Sequence, residues 1–181
     1  MRRGILGPLC LGVLLAGAAG CTSSSGAIAP RVPASLAVPS DQVLLRVLRA
    51  AGVQIYECQA EQDEPLLYAW HFAAPEAELS DQSGHKVGRH YAGPTWEASD
   101  GSLVTGTVAA QYGGPDPNAI AWLLLRVKSA SSSGYFAGIQ SIQRLYTVGG
   151  KAPADGCSQA TSGTRVRVPY TADYFFYAAP S

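Results

Sequence analysis

The stretch GRHYAGPTWEASDGS, residues 88–102, holds the densest set of groups able to do chemistry in this chain. His90 can accept or deliver a proton near neutral pH. Glu97 and Asp100 supply two carboxylates close together in sequence. Tyr91 and Trp96 offer aromatic faces with polar edges. An aromatic face beside a carboxylate suits a sugar or another polar ligand: C–H groups stack on the ring and hydroxyls take the hydrogen bonds. His90, Tyr91, Trp96, Glu97 and Asp100 are therefore ligand-binding candidates. The same residues admit a plainer reading, in which Trp96 plugs one end of a core and His90 and Glu97 lie at the surface or are hydrogen-bonded.

A second cluster, VPYTADYFFY at 168–177, adds Tyr170 and Asp173 as candidates for the same pocket. Its plainer reading is a tyrosine hydroxyl pinned to a turn, with Asp173 capping the start of a strand. The three histidines, His71, His85 and His90, are weak metal candidates. Paired strands could bring them together, but their spacing matches no short ligand motif. Glycoside hydrolysis needs two carboxylates about 5–9 Å apart, and Glu97 with Asp100 is the nearest pair. A hydrolase, metal-assisted or not, around His90, Glu97 and Asp100 is thus the alternative to a binding module. G-x-S-x-G, the P-loop and a strand-linked G-x-G-x-x-G are all missing, so neither an acyl-transfer triad nor a nucleotide cofactor is expected. No cofactor is expected at all.

The elements that must carry these residues read as strands. VQIYECQ (53–59) alternates between two faces, and LLYAWHFA (66–73) is apolar and aromatic. Residues 77–91 read as strand, turn and strand, with the turn at Ser83-Gly84. Gly93-Pro94 and Asp100-Gly101 mark further turns, leaving Trp96 and Glu97 on a short strand and pointing to opposite faces. Residues 42–50 and 121–130 are strand or short helix, Gly52 interrupts the first region, and 135–148 is a long strand. Loops at 113–118 and 149–156 could supply the opposite pocket wall. The sum is about ten short strands and no long amphipathic helix. That predicts an all-β, mostly antiparallel sandwich or barrel.

Composition sets the class. Apolar residues are 47% and charged residues 14%, so the chain can bury a core and is not disordered by composition. The formal net charge is zero and no basic run occurs, which argues against nucleic-acid partners. Residues 1–21 carry Arg2 and Arg3, an apolar run from Ile5 to Leu15, and then small residues: an export signal. AAGC, ending at Cys21, has the form of a bacterial lipobox, with Ala18 where leucine is usual. Cys21 is the lipidation candidate and membrane anchor; cleavage after Ala18 and simple secretion is the alternative. Residues 22–40, rich in Ser, Ala and Pro, read as a flexible tether, and 41–178 as a single β domain. Cys10 falls within the apolar run and would be discarded. In an oxidising compartment the two remaining cysteines, Cys58 and Cys157, are expected to pair.

Five stretches, GVQIYECQ, HYAGPTWEASDGS, AWLLLRV, SIQRLYTVGGKAPADGC and VPYTADYFFY, resemble the family catalogued as domain of unknown function 3455. The resemblance spans roughly Leu36 to Tyr177. It implies a secreted or envelope-anchored protein and carries no established activity or catalytic residue. The expectation is an exported envelope protein that binds a small polar ligand or an envelope polymer, or serves as a structural module.

Overall fold

The computed structural model describes Met1 and residues 28–180. The rest of the expected export signal, with Cys10 and Cys21, lies outside the described residues. Eight strands follow one another: β1 (Val43–Ala60), β2 (Tyr68–Ser80), β3 (Lys86–Tyr91), β4 (Thr95–Ala98), β5 (Leu103–Tyr112), β6 (Trp122–Ala130), β7 (Ile139–Gly149) and β8 (Arg165–Ala178). Each pairs antiparallel with the next, and β8 returns to β1. The sheet is a closed barrel. The all-β expectation is met; the count of about ten is corrected to eight.

The correction has a local cause. Gly52 does not interrupt β1 but lies inside it. A Cβ there would come within 2.1 Å of the Glu76 carbonyl oxygen, so the absent side chain lets β1 and β2 approach closely. Likewise Pro75 lies inside β2, which joins two segments read as separate. Pro75 has no N–H to donate, and β2 has no partner on its β3 side there, since that pairing covers only Ala77–Ser80. The ambiguous segments 42–50 and 121–130 are both strand. The strand expected from residue 135 begins at Ile139; Tyr135 and Phe136 belong to the preceding turn, where Phe136 is fully buried.

Alternation along the strands builds two apolar clusters. Leu48, Leu79, Trp96, Leu125, Ile142, Tyr174 and Phe176 meet inside the barrel. Phe175 and Tyr177, one residue out of phase, face the other way and join Trp122, Leu124 and Leu145. This outer cluster is covered by the chain before β1. Leu36, in a short 3-10 helix (Ala34–Leu36), is fully buried against it. Gln143 Nε2 donates to the Leu36 carbonyl at 2.7 Å, and Tyr177 Oη donates to Gln143 Oε1 at 2.7 Å. The tether expected over 22–40 is therefore docked at its C-terminal end, because β8 leaves an apolar outer face to cover. Cys58 and Cys157 form the expected disulfide, with Cα atoms 5.3 Å apart. It straps the loop after β7 to the end of β1. Trp70 Nε1 donates to the Asp155 carbonyl at 2.9 Å in the same region.

A candidate site in the barrel wall

β3 and β4 are the short staves of the barrel. β2 pairs with β3 only over Ala77–Ser80, and β5 pairs with β4 only over Leu103–Thr105. Tyr68–Glu76 of β2 and Gly106–Tyr112 of β5 consequently have a strand neighbour on one side alone. A side opening lies between them, above the β3–β4 turn at Ala92–Pro94. Phe72 and Val108, on the two lips, are more than half exposed. A cleft of about 120 Å³ runs inward from there, reaching Leu123, Leu125 and Arg144.

The floor is aromatic. His90 and Trp96 sit opposite each other in the β3–β4 register, and their rings stack at 4.4 Å between centroids, 15° from parallel. Tyr174 meets both rings edge-on, at 5.1 and 5.3 Å. His90 Nδ1 lies 2.8 Å from the Thr95 carbonyl. A carbonyl only accepts, so Nδ1 carries the proton and Nε2 keeps its lone pair in the neutral ring. Burial drives the His90 pKa down to about 3, against the pull of the Thr95 carbonyl, and nearby Arg144 lowers it further. His90 is thus neutral at ordinary pH.

Several buried donors on this floor and beside it lack good partners. Trp96 Nε1, Tyr174 Oη, Tyr170 Oη and Gln54 Nε2 are buried with no hydrogen bond of good geometry. Tyr170 lies beside Tyr174 and Gln54, and Tyr174 beside Arg144, yet none closes a proper bond. Burial pushes both tyrosine hydroxyls up in pKa, so both stay protonated. Tyr56 is satisfied, donating to the Gly150 carbonyl at 2.6 Å. Buried polar groups are nearly always paired, so the two open donors that line the cleft, Trp96 Nε1 and Tyr174 Oη, mark it as unusual.

The residues singled out from sequence divide. His90, Trp96 and Tyr170 share the barrel interior. Tyr91 and Glu97 lie on the outer face, as the alternation of Trp96 and Glu97 requires. Tyr91 Oη donates to Glu97 Oε2 at 2.8 Å, and Arg89 pairs with the same oxygen at 2.7 Å. Those two neighbours hold the Glu97 carboxyl below the usual range. Asp100 is a clamp: its carboxylate accepts from Ser102 Oγ, Ser102 N and Tyr135 N, tying the β4–β5 turn to the loop before β7. His90, Glu97 and Asp100 therefore do not form one catalytic cluster, because a strand sends neighbours to opposite faces. Tyr170 and Asp173 lie within β8 rather than at its entrance, again on opposite faces. Asp173 is near Arg49, 3.8 Å away, and burial raises its pKa. His71 lies 3.7 Å from Glu61 and His85 3.6 Å from Asp81, each far from the role of a shared ligand. No group of three or more His, Cys, Asp or Glu suited to a metal occurs among the described residues.

Sequence reasoning missed Arg144, Tyr174, Phe72 and Val108. Arg144 had a signal: it follows buried Ile142 by two residues, a charge on the apolar face of a strand. A wider hollow of about 620 Å³ lies on the outer face of β1–β3. Its charges are already matched, Lys86 with Glu78 at 2.6 Å and Arg167 with Glu76 at 2.9 Å. It asks for no ligand.

A family model described as Protein of unknown function (DUF3455) matches residues 39–178. The chain belongs to this family. The match takes in every strand of the barrel, and the resemblance carried by the five sequence stretches is borne out. No curated protein and no solved structure matches the chain. In this DUF3455 member those stretches deliver the floor of the cleft: His90 and Trp96 from one, Arg144 from another, Tyr174 from the last.

Proposed function

We propose that this chain is a ligand-binding module of the cell envelope, exported through its N-terminal signal, anchored by a lipid on Cys21, and loaded through the side opening between β2 and β5. The observation that carries the binding reading is the opening itself: two unpaired strand edges, exposed apolar lips and a floor of buried, unpartnered donors. Eight-stranded barrels have an interior that either fills with side chains or holds one small ligand. The export and anchor are supported by the sequence of residues 1–21.

The ligand enters as a small group. A cavity of about 150 Å³ in another protein takes benzene, so about 120 Å³ suits one ring or a short chain. Trp96 is not a stacking platform for a sugar, because His90 covers one of its faces and Tyr174 and Phe176 meet it edge-on. Hydrolysis centred on His90, Glu97 and Asp100 has no support from their placement.

A neutral aromatic probe tests the binding reading. Benzyl alcohol titrated into the protein should shift the Trp96 indole N–H resonance saturably, and Val108→Phe, which fills the lip, should abolish the shift. A titration that leaves the indole signal in place, or an equal shift in Val108→Phe, would overturn it. Mass spectrometry of the membrane fraction tests the anchor: a diacylglycerol on Cys21, lost in Cys21→Ala, is expected.

A further inference from the structure

Among the described residues, Arg144 is the only charged side chain that lines the cleft. It is half-buried, and no carboxylate forms a salt bridge with it among the described residues. Its Nε and Nη2 both donate to the Ala121 carbonyl, at 3.1 and 2.8 Å. Those two bonds fix the guanidinium plane; its other N–H groups, with Tyr174 Oη beside them, make no further hydrogen bond of good geometry among the described residues. Its positive field lowers the pKa of His90 and opposes the rise of Tyr56, Tyr170 and Tyr174. A charge withdrawn from water is ordinarily paired. Here, among the described residues, its well-formed bonds go to a neutral carbonyl alone, with no counter-charge.

The surroundings narrow the missing partner. The walls are Phe72, Pro75, Val108, Leu123 and Leu125. Inorganic phosphate would surrender its hydration to one guanidinium and carbon walls, which cannot replace it. A carboxylate matches the planar fork of a guanidinium, and Tyr174 Oη beside it is a second donor without a partner. An attached ring or short alkyl chain would fill the space toward the lips.

We infer that the cleft binds a small organic monocarboxylate, with the carboxylate on Arg144 and Tyr174 and the apolar body between Phe72 and Val108. This rests on the binding reading above and names its ligand class.

Matched probes separate the two. Benzoate, benzamide and benzylamine differ in charge at nearly constant shape. Titrated into the full chain by calorimetry and NMR, benzoate should bind at least about tenfold more tightly than benzamide, and benzylamine should not bind. Arg144→Gln should cost benzoate at least that same factor and cost benzamide clearly less, so that the acid–amide difference collapses. Equal affinity for benzoate and benzamide, or full benzoate affinity in a folded Arg144→Gln, would sink the carboxylate assignment while the binding module stands. Failure of every probe, benzyl alcohol included, would sink both. Should Arg144→Gln fail to fold, the acid–amide comparison in the unaltered protein decides alone.

Discussion

At the residue scale, His90 is a neutral part of the cleft floor. Its side chain is nearly inaccessible and its ring is sandwiched between Trp96 and Tyr174 contacts, so protonation meets no water. The folded pKa of about 3 lies below the ordinary 6.5. Between those values the unfolded chain binds the proton and the folded chain does not. Stability therefore rises with pH through this window: the neutral-His contribution is complete above about pH 6.5 and is lost as pH falls toward about 3. The full span corresponds to a loss on the order of 5 kcal/mol. Urea unfolding at stepped pH should show that decline, and His90→Gln should flatten it. Parallel wild-type and variant curves would show that His90 is not the group responsible. Glu97 illustrates the converse. Its carboxylate has two close partners on the outer face, which is why it has no place in the cleft.

At the element scale, the short β3–β4 hairpin decides the architecture of the opening. Gly93, at φ 93°, lets the chain reverse after only six residues of β3. Had this hairpin run the length of β2, both lips would be paired and the wall continuous. Pro75 and the Pro94 turn limit the pairing on the two sides. Gly52 does the opposite work, drawing β1 onto β2. Replacing a strand glycine by alanine ordinarily gains about 0.5–1 kcal/mol. At Gly52 the new Cβ would meet the Glu76 carbonyl at 2.1 Å and Ala77 Cα at 2.5 Å. Both are backbone and cannot swing aside. Gly52→Ala should therefore destabilise by about 1–3 kcal/mol. Gly113→Ala, with nothing within 4 Å, should change stability by less than about 0.5 kcal/mol. Chemical denaturation of the two variants checks this; a neutral Gly52→Ala would mean that the strands separate without cost.

At the scale of the whole molecule, closure depends on β1 and β8, the first and last staves, which pair from Val43↔Ala178 to Glu57↔Arg165. The disulfide spans 99 residues and fixes the loop leading into β8 against the end of β1. Its removal should cost about 2–5 kcal/mol, mainly by freeing the unfolded chain. For a chain of this size that is a fall of about 4–20 °C in melting temperature. Scanning calorimetry of the Cys58→Ser, Cys157→Ser double variant reads the change directly. An unshifted transition would show that β1–β8 pairing needs no clip. The side opening is also a property of the whole: its two lips come from strands separated by the β3–β4 hairpin, and its floor from β3, β4, β7 and β8.

Local rules carried much of this. The turns at Ser83-Gly84, Gly93-Pro94 and Asp100-Gly101 are legible because glycine and proline restrict or free the backbone wherever they stand. The all-β class follows from period-two alternation, and the opposition of Trp96 and Glu97 from the same rule. The pairing of Cys58 with Cys157 follows from counting. Alternation states which residues share a face, but not which face looks inward, and β8 buries both of its faces. It could not reveal that Gly52 and Pro75 lie within strands, since their tolerance depends on the neighbouring strand. Nor could it bring Arg144 to His90 and Tyr174. That meeting depends on the register of strands joined around a closed ring, which is set by packing across the barrel rather than by neighbours along the chain.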